Sequence, residues 1–133
     1  MKADPQTEAA LLEMLERFCS GFTKRDAEAV IHLFAQDADI VMVTSEEPLL
    51  RGPEEVGAFL HRYAQGRTTY SWAWHSRDAS AAAAVGWLLA EGVETAASEG
   101  SEEKHPYRMS MVCENRDGRW VLMQVHGSSP HHG

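Results

Sequence analysis

Apolar residues recur every three or four positions near the start of the chain. Leu11, Leu15, Phe18 and Phe22 form one stripe with Leu12 and Cys19 beside it, while Glu8, Glu13, Glu16 and Arg17 are available for a wet side. That period predicts an amphipathic helix over residues 5–24. Pro5 suits its first turn, where a missing N–H costs nothing. Asp26 is a candidate N-cap for a short second helix over residues 26–35, with Ala29, Val30, Leu33 and Phe34 as its apolar face. The β-branched run at residues 39–44 predicts a strand. Pro53, Glu54 and Glu55 then open a third helix, whose stripe is Val56, Phe59, Leu60 and Tyr63 and whose stop is Gly66.

After Gly66 the period falls to two. Residues 68–78 place Tyr70, Trp72 and Trp74 on one face of a strand, and residues 78–80 read as a turn. Residues 81–94 read as a long strand, and the small, polar residues 96–103 as a hairpin loop. Strands over 107–115 and 120–126 are joined by Asn115-Arg116-Asp117-Gly118, whose Asp-Gly pair suits a tight hairpin. This order predicts an α+β domain: a cone-shaped, curved antiparallel sheet packed on three N-terminal helices, with a pocket at its mouth. The whole chain, residues 1–133, reads as one domain with a loose tail over about 128–133.

Composition narrows the partners. Twenty acidic residues against twelve basic ones give a net charge of −8, which disfavours nucleic acid and anionic membrane surfaces. No run approaches the ~20 apolar residues of a membrane span, and Met1 to Glu8 lacks the pattern of a secretory leader. The expected location is the cytoplasm. Cys19 and Cys113, far apart and each in an apolar stretch, read as buried reduced thiols.

Two stretches carry a family likeness. One runs from Arg25-Asp26-Ala27-Glu28-Ala29-Val30 through Leu33-Phe34-Ala35-Gln36-Asp37-Ala38 to Arg51-Gly52-Pro53-Glu54; the other runs from Asp117-Gly118-Arg119-Trp120 to His126-Gly127-Ser128. Together they resemble the nuclear transport factor 2-like superfamily, in the branch of SnoaL-like domains and steroid delta-isomerase. The resemblance implies the cone fold over nearly the whole chain and a homodimer through the convex face of the sheet. It implies no single activity, because this fold hosts isomerases, cyclases, dehydratases, epoxide hydrolases and non-catalytic binding domains. The ending from Trp120 to Pro130 is also similar to that of the association domain of calcium/calmodulin-dependent kinase II, a relative that assembles rather than catalyses.

Steroid isomerisation needs an aspartate base, and a tyrosine with a protonated aspartate to stabilise the enolate. Aligned without gaps, the resemblance places the base on Met42, the tyrosine on Phe18 and the second acid on Ser110. Met42 cannot take the proton and Phe18 cannot donate one, so that mechanism is rejected for this chain. The same alignment turns Arg108, Ser110 and Val112 inward, together with Met123, Val125 and Gly127 of the last strand. The candidate ligand pocket is then Phe18, Met42, Trp72, Trp87, Arg108, Ser110, Met123, Val125 and His126. Arg108 would anchor a carboxylate or similar anion, or else pair with a glutamate at the rim.

Hydrophobic alternation gives the opposite register. Tyr107, Met109, Met111 and Cys113 are the more apolar face of their strand, and a shift of one residue exchanges the faces. His126 reads as a general base or metal ligand, or as an interfacial residue if it points away from the pocket. Trp72, Trp74 and Trp87 either wall the pocket or fill a dimer interface. His105 reads as a strand-edge residue, His75 is undecided, and His131 and His132 belong to the tail. No His, Cys, Asp or Glu set has metal-ligand spacing, so no metal or cofactor is expected. The functional reading is a domain that binds a small hydrophobic or anionic ligand and lacks the isomerase acids. A non-catalytic homo-oligomerisation module and a divergent isomerase or lyase are the alternatives.

Overall fold

Helix starts fall where their free N–H groups find an acceptor. In the computed structural model, which describes residues 1–45 and 47–130, Asp4 accepts from the Thr7 N–H at 2.8 Å and opens α1, Pro5–Thr23. Asp26 accepts from the Ala29 N–H at 3.1 Å and opens α2, Ala27–Ile31. The short strands β1, Val41–Val43, and β2, Leu50–Arg51, lead into α3, Gly52–Gln65. There the Glu55 carboxylate reaches back to the Arg51 N–H at 2.9 Å. Four long strands complete the chain: β3, Thr69–Ala82; β4, Val85–Ser98; β5, Ser101–Arg116; and β6, Arg119–Ser128.

The six strands form one curved, unclosed sheet in the order β2-β1-β6-β5-β4-β3. Every pairing is antiparallel except β1 with β6, which is parallel, so the sheet is mixed. Four boundaries among these differ from the sequence reading. The β3–β4 turn lies at Ala83-Ala84, with Ala83 at φ 53°, because Ala79 is buried and Ser80 pairs with Trp87. Most of the expected loop at 96–103 is strand, closed by a tight turn at Glu99-Gly100 where Gly100 supplies φ 78°. Helix α2 stops at Ile31 because β6 recruits the residues just beyond it: Leu122 N–H bonds Leu33 O at 2.8 Å, and Ala35 N–H bonds Leu122 O at 3.0 Å. Ser128 still pairs with Arg108, so the strand reaches into the expected tail. His131 and His132 lie outside the described residues.

The core fills the space between the helices and the concave face of the sheet. Leu11, Leu15 and Phe18 of α1 meet Leu88 and Ala90 of β4, Met109, Met111 and Cys113 of β5, and Leu122 and Val125 of β6. On β5, Tyr107, Met109, Met111 and Cys113 are buried while Arg108 is exposed and Ser110 half-buried. The hydrophobic alternation therefore reads the register correctly, and the ungapped alignment is wrong by one residue on this strand. A bulge opposite Val112 and Cys113 leaves Met123 without a partner on β5. Residues 1–3 bond along the outer edge of β3, with Ala3 N–H to Ala79 O at 3.2 Å and Ala81 N–H to Met1 O at 2.9 Å.

Candidate functional site

A cavity of about 830 Å³ opens at the mouth of the cone. Phe18 and Phe22 of α1, Phe59 and Tyr63 of α3, Tyr70 and Trp72 of β3, and Tyr107 and Met109 of β5 wall it, with Met42 and Val125 alongside. The rings pack on one another. Their centroids are 4.5 Å apart for Phe22 and Tyr63, 5.7 Å for Phe22 and Trp72, and 6.2 Å for Trp72 and Tyr107. Trp74 lies parallel to Trp72 behind this wall, at 6.4 Å. Gly127 makes room for the Tyr107 phenol: a Cβ at that position would sit 2.1 Å from its oxygen. The Tyr63 hydroxyl donates to Phe22 O at 2.9 Å and accepts from the Tyr70 N–H at 3.3 Å. Burial holds the Tyr63 phenol above its ordinary pKa.

One charged group sits in this apolar wall. Among the described residues Glu94 is the only buried charged side chain, 6% exposed. Its Oε2 accepts from Trp72 Nε1–H at 2.9 Å, and its Oε1 lies 2.8 Å from His105 Nε2. The register explains the meeting. Glu94 on β4 is directly opposite Trp72 on β3 and His105 on β5, so the three form one row across the sheet. Glu94 shares the inward parity of Leu88 and Ala90. With His105 Nε2 as the donor to the carboxylate, its Nδ1 is the acceptor of the neutral ring. Around the mouth lie Thr44, Thr68, Ser98, Ser101, Glu103 and an Arg62–Glu47 ion pair at 3.6 Å.

Four of the nine expected pocket residues, Phe18, Met42, Trp72 and Val125, line the cavity. Met123 does not; its sulfur lies 3.6 Å from Arg116 Nη2, next to the Arg116–Asp37 ion pair. Trp87, Arg108, Ser110 and His126 are on the convex face, where Trp87 opposes Val112, Arg108 opposes Glu91 and Ser110 opposes His126. Arg108 therefore cannot anchor an anion inside the cone. His105, expected as a mere edge residue, belongs to the site, and Glu94 was missed altogether. The available signal was the Glu99-Gly100 turn, because counting back symmetrically from it sets Glu94 against His105.

Burial pushes the Cys19 and Cys113 thiols up to about 12, so neither offers a thiolate nucleophile. Among the described residues no three His, Cys, Asp or Glu side chains gather as a metal site would need. No helix is long and apolar enough to cross a membrane.

Comparison with known proteins agrees with this fold. The model of the SnoaL-like domain family matches residues 11–132. No curated protein matches the sequence. Among solved structures, a nuclear transport factor 2-like superfamily protein from Salmonella enterica serovar Typhimurium superposes with a TM-score of 0.85 at 15% identity, covering 98% of this chain and 95% of that one. A proposed dehydratase of the same superfamily from Streptomyces avermitilis gives 0.85 at 15% identity, covering 97% and 100%. A proposed calcium/calmodulin-dependent protein kinase type II association domain from Thiobacillus denitrificans gives 0.72 at 15% identity, covering 98% of both chains. At these identities the likeness is one of fold. With a family model spanning most of its length, the chain belongs to the SnoaL-like domain family, and its fold is that of the nuclear transport factor 2-like structures it superposes on.

Proposed function

We propose that the cavity binds a small, ring-bearing, largely apolar molecule and that His105 and Glu94 move a proton on it, as an isomerase or lyase would. The observation that carries this reading is the buried Glu94 carboxylate held between Trp72 Nε1 and His105 Nε2. A carboxylate is costly to bury, and one retained in an aromatic wall suits chemistry better than stability. In this reading Glu94 is a positioning residue. It holds the imidazole as the Nε2–H tautomer, so that Nδ1 takes a proton from the ligand and returns it to a neighbouring atom. The aromatic wall orients the ring system and excludes water.

The test uses 2-tetralone, a bicyclic ketone with acidic C–H bonds, in deuterated buffer. The expected result is deuterium uptake faster than in buffer alone. His105→Ala lowers that rate by about 10²-fold or more while calorimetry shows binding retained. Glu94→Gln lowers it less, with binding again retained. Exchange at the buffer rate in the wild-type protein overturns the proton-transfer reading.

The same reading includes a second copy as partner. Leu89 and Val93 stand 46% and 36% exposed on the convex face of β4, on the same side as half-buried Trp87, which pairs with half-buried Val112 of β5. An apolar sheet face of this kind supports a homodimer. The likeness in fold to a proposed association domain favours it too.

A further inference from the structure

We infer that the ligand of this cavity carries a polyhydroxylated group, of the size and chemistry of one sugar, on the end of its ring system that faces the mouth. The inference rests on the reading of the cone as a small-molecule site and adds the class of molecule.

Two rows of the concave face carry it. The inner row is Trp72, Glu94 and His105, one residue from each of β3, β4 and β5. The outer row is Thr68, Ser98 and Ser101. Ser98 pairs with Ser101 where β4 turns into β5, and the Thr68 and Ser98 hydroxyls lie 3.0 Å apart. Thr68 precedes Trp72 by four residues, Ser98 follows Glu94 by four, and Ser101 precedes His105 by four. Equal, even offsets put both rows on one face of the sheet, and all six residues line the cavity.

The chemistry changes between the rows. Around the inner one the rings of Phe22 and Tyr63 pack on each other, and Phe22 packs on Trp72. The outer row is hydroxyls alone, with Thr68 half-buried and Ser98 and Ser101 exposed. Thr44, just past β1, and Ser129, just past β6, add two more where those strands end at the mouth. A hydroxyl donates one hydrogen bond and accepts others, so the Thr68–Ser98 contact leaves both residues with capacity. The group that matches it in both roles is another hydroxyl, whereas an ammonium only donates and a carboxylate only accepts.

Reach gives the size. Four residues of strand span about 13 Å at ~3.3 Å per residue. A bicyclic ring seated on Trp72 stops short of the outer row, and the same ring with one sugar attached meets it. The cavity volume of about 830 Å³ agrees, since it lies in the upper part of the range of about 300–1,000 Å³ for sites that enclose a drug-sized ligand.

Calorimetry of the full chain with two probes that share an aryl ether tests the inference: 2-methoxynaphthalene and 2-naphthyl β-D-glucopyranoside. The glucoside is expected to bind about fivefold or more tightly. Substituting Ser98→Ala and Ser101→Ala together removes most of that advantage and leaves the affinity for 2-methoxynaphthalene in place, which also shows that the variant is folded. Thr68→Val, which keeps the shape and loses the hydroxyl, is expected to narrow the ratio by about twofold. A glucoside no tighter than the ether, or an advantage that these substitutions do not move, overturns the sugar inference and leaves the cavity reading standing. If neither probe binds, both readings fall.

Discussion

The two faces of β4 and β5 are built from alternate residues of the same segments, yet they differ in almost every physical respect. Toward the helices, β5 presents Tyr107, Met109, Met111 and Cys113, all buried, and β4 presents Leu88, Ala90 and Glu94. Away from them, β5 presents Arg108, Ser110 and Val112, and β4 presents Trp87, Leu89 and Val93. The difference teaches which constraint sets the register. Four apolar side chains on one parity of β5, each worth about 1.5–3 kcal/mol when buried, outweigh anything that Arg108 and Ser110 could gain by turning inward. Strand β4 lacks that contrast, since both of its parities are apolar. The outward one is left exposed in the single chain.

The largest expected effect that can break this comparison is chemical. Burial pushes the Cys113 and Cys19 thiols up to about 12, so at pH 8 each is thiolate in about one molecule in 10⁴. A cysteine placed on the convex face as Ser110→Cys keeps an ordinary thiol. Its alkylation by iodoacetamide in the folded protein should be about 10³-fold faster than that of either native cysteine. Equal rates for Cys113 and the introduced cysteine would place Cys113 on the outer face. The same shift sets the sign of the pH dependence. The folded thiols hold their protons where the unfolded chain has begun to lose them. Stability should therefore fall as the pH rises above the unfolded value of about 8.5.

The next effect is energetic. Met111 and Ser110 are sequence neighbours on opposite faces. Met111→Ala should cost about 3 kcal/mol in denaturant unfolding, through lost burial and the cavity left behind. Ser110→Ala should change stability by no more than ~0.5 kcal/mol. Similar costs for the two would mean that the faces are not distinct.

Much of this was legible in the sequence wherever a local signal had one meaning. The stripe Leu11, Leu15, Phe18 and Phe22 marks α1 because only a helix brings those positions together. Asp26 marks the start of α2, and Asp117-Gly118 marks the last hairpin, where the two residues take φ 53° and 89°. The turn at Ala83-Ala84 was not legible, because alanine carries no turn chemistry and the nearby Asp78 and Ser80 mimic it. The charged part of the candidate site was missed for a different reason. Glu94 and His105 meet only through cross-strand register, and reading Glu99-Gly100 as part of a long loop hid it. Phe18, Met42, Trp72 and Val125 were found because apolar parity and helix spacing are local; Arg108 and Ser110 were misplaced because the alignment overrode that parity.

The smallest expected effect bears on the convex face. Leu89 sits between Asp78 and Ser110, and Val93 between Ala73 and Pro106, so the exposed apolar residues run along the middle of the outer sheet. If a second copy covers them, the chain sediments as a dimer at micromolar concentration. Leu89→Arg then weakens association by about tenfold, roughly 1.4 kcal/mol, because a charge replaces a buried apolar contact. Phe59→Ala, at the cavity wall on the other side of the sheet, should leave association unchanged. A wild-type chain that sediments as a monomer removes the homodimer. A Leu89→Arg variant as dimeric as the wild type moves the interface elsewhere. Either result would leave the proposal for the cavity untouched, because the concave row of Trp72, Glu94 and His105 is completed within one chain.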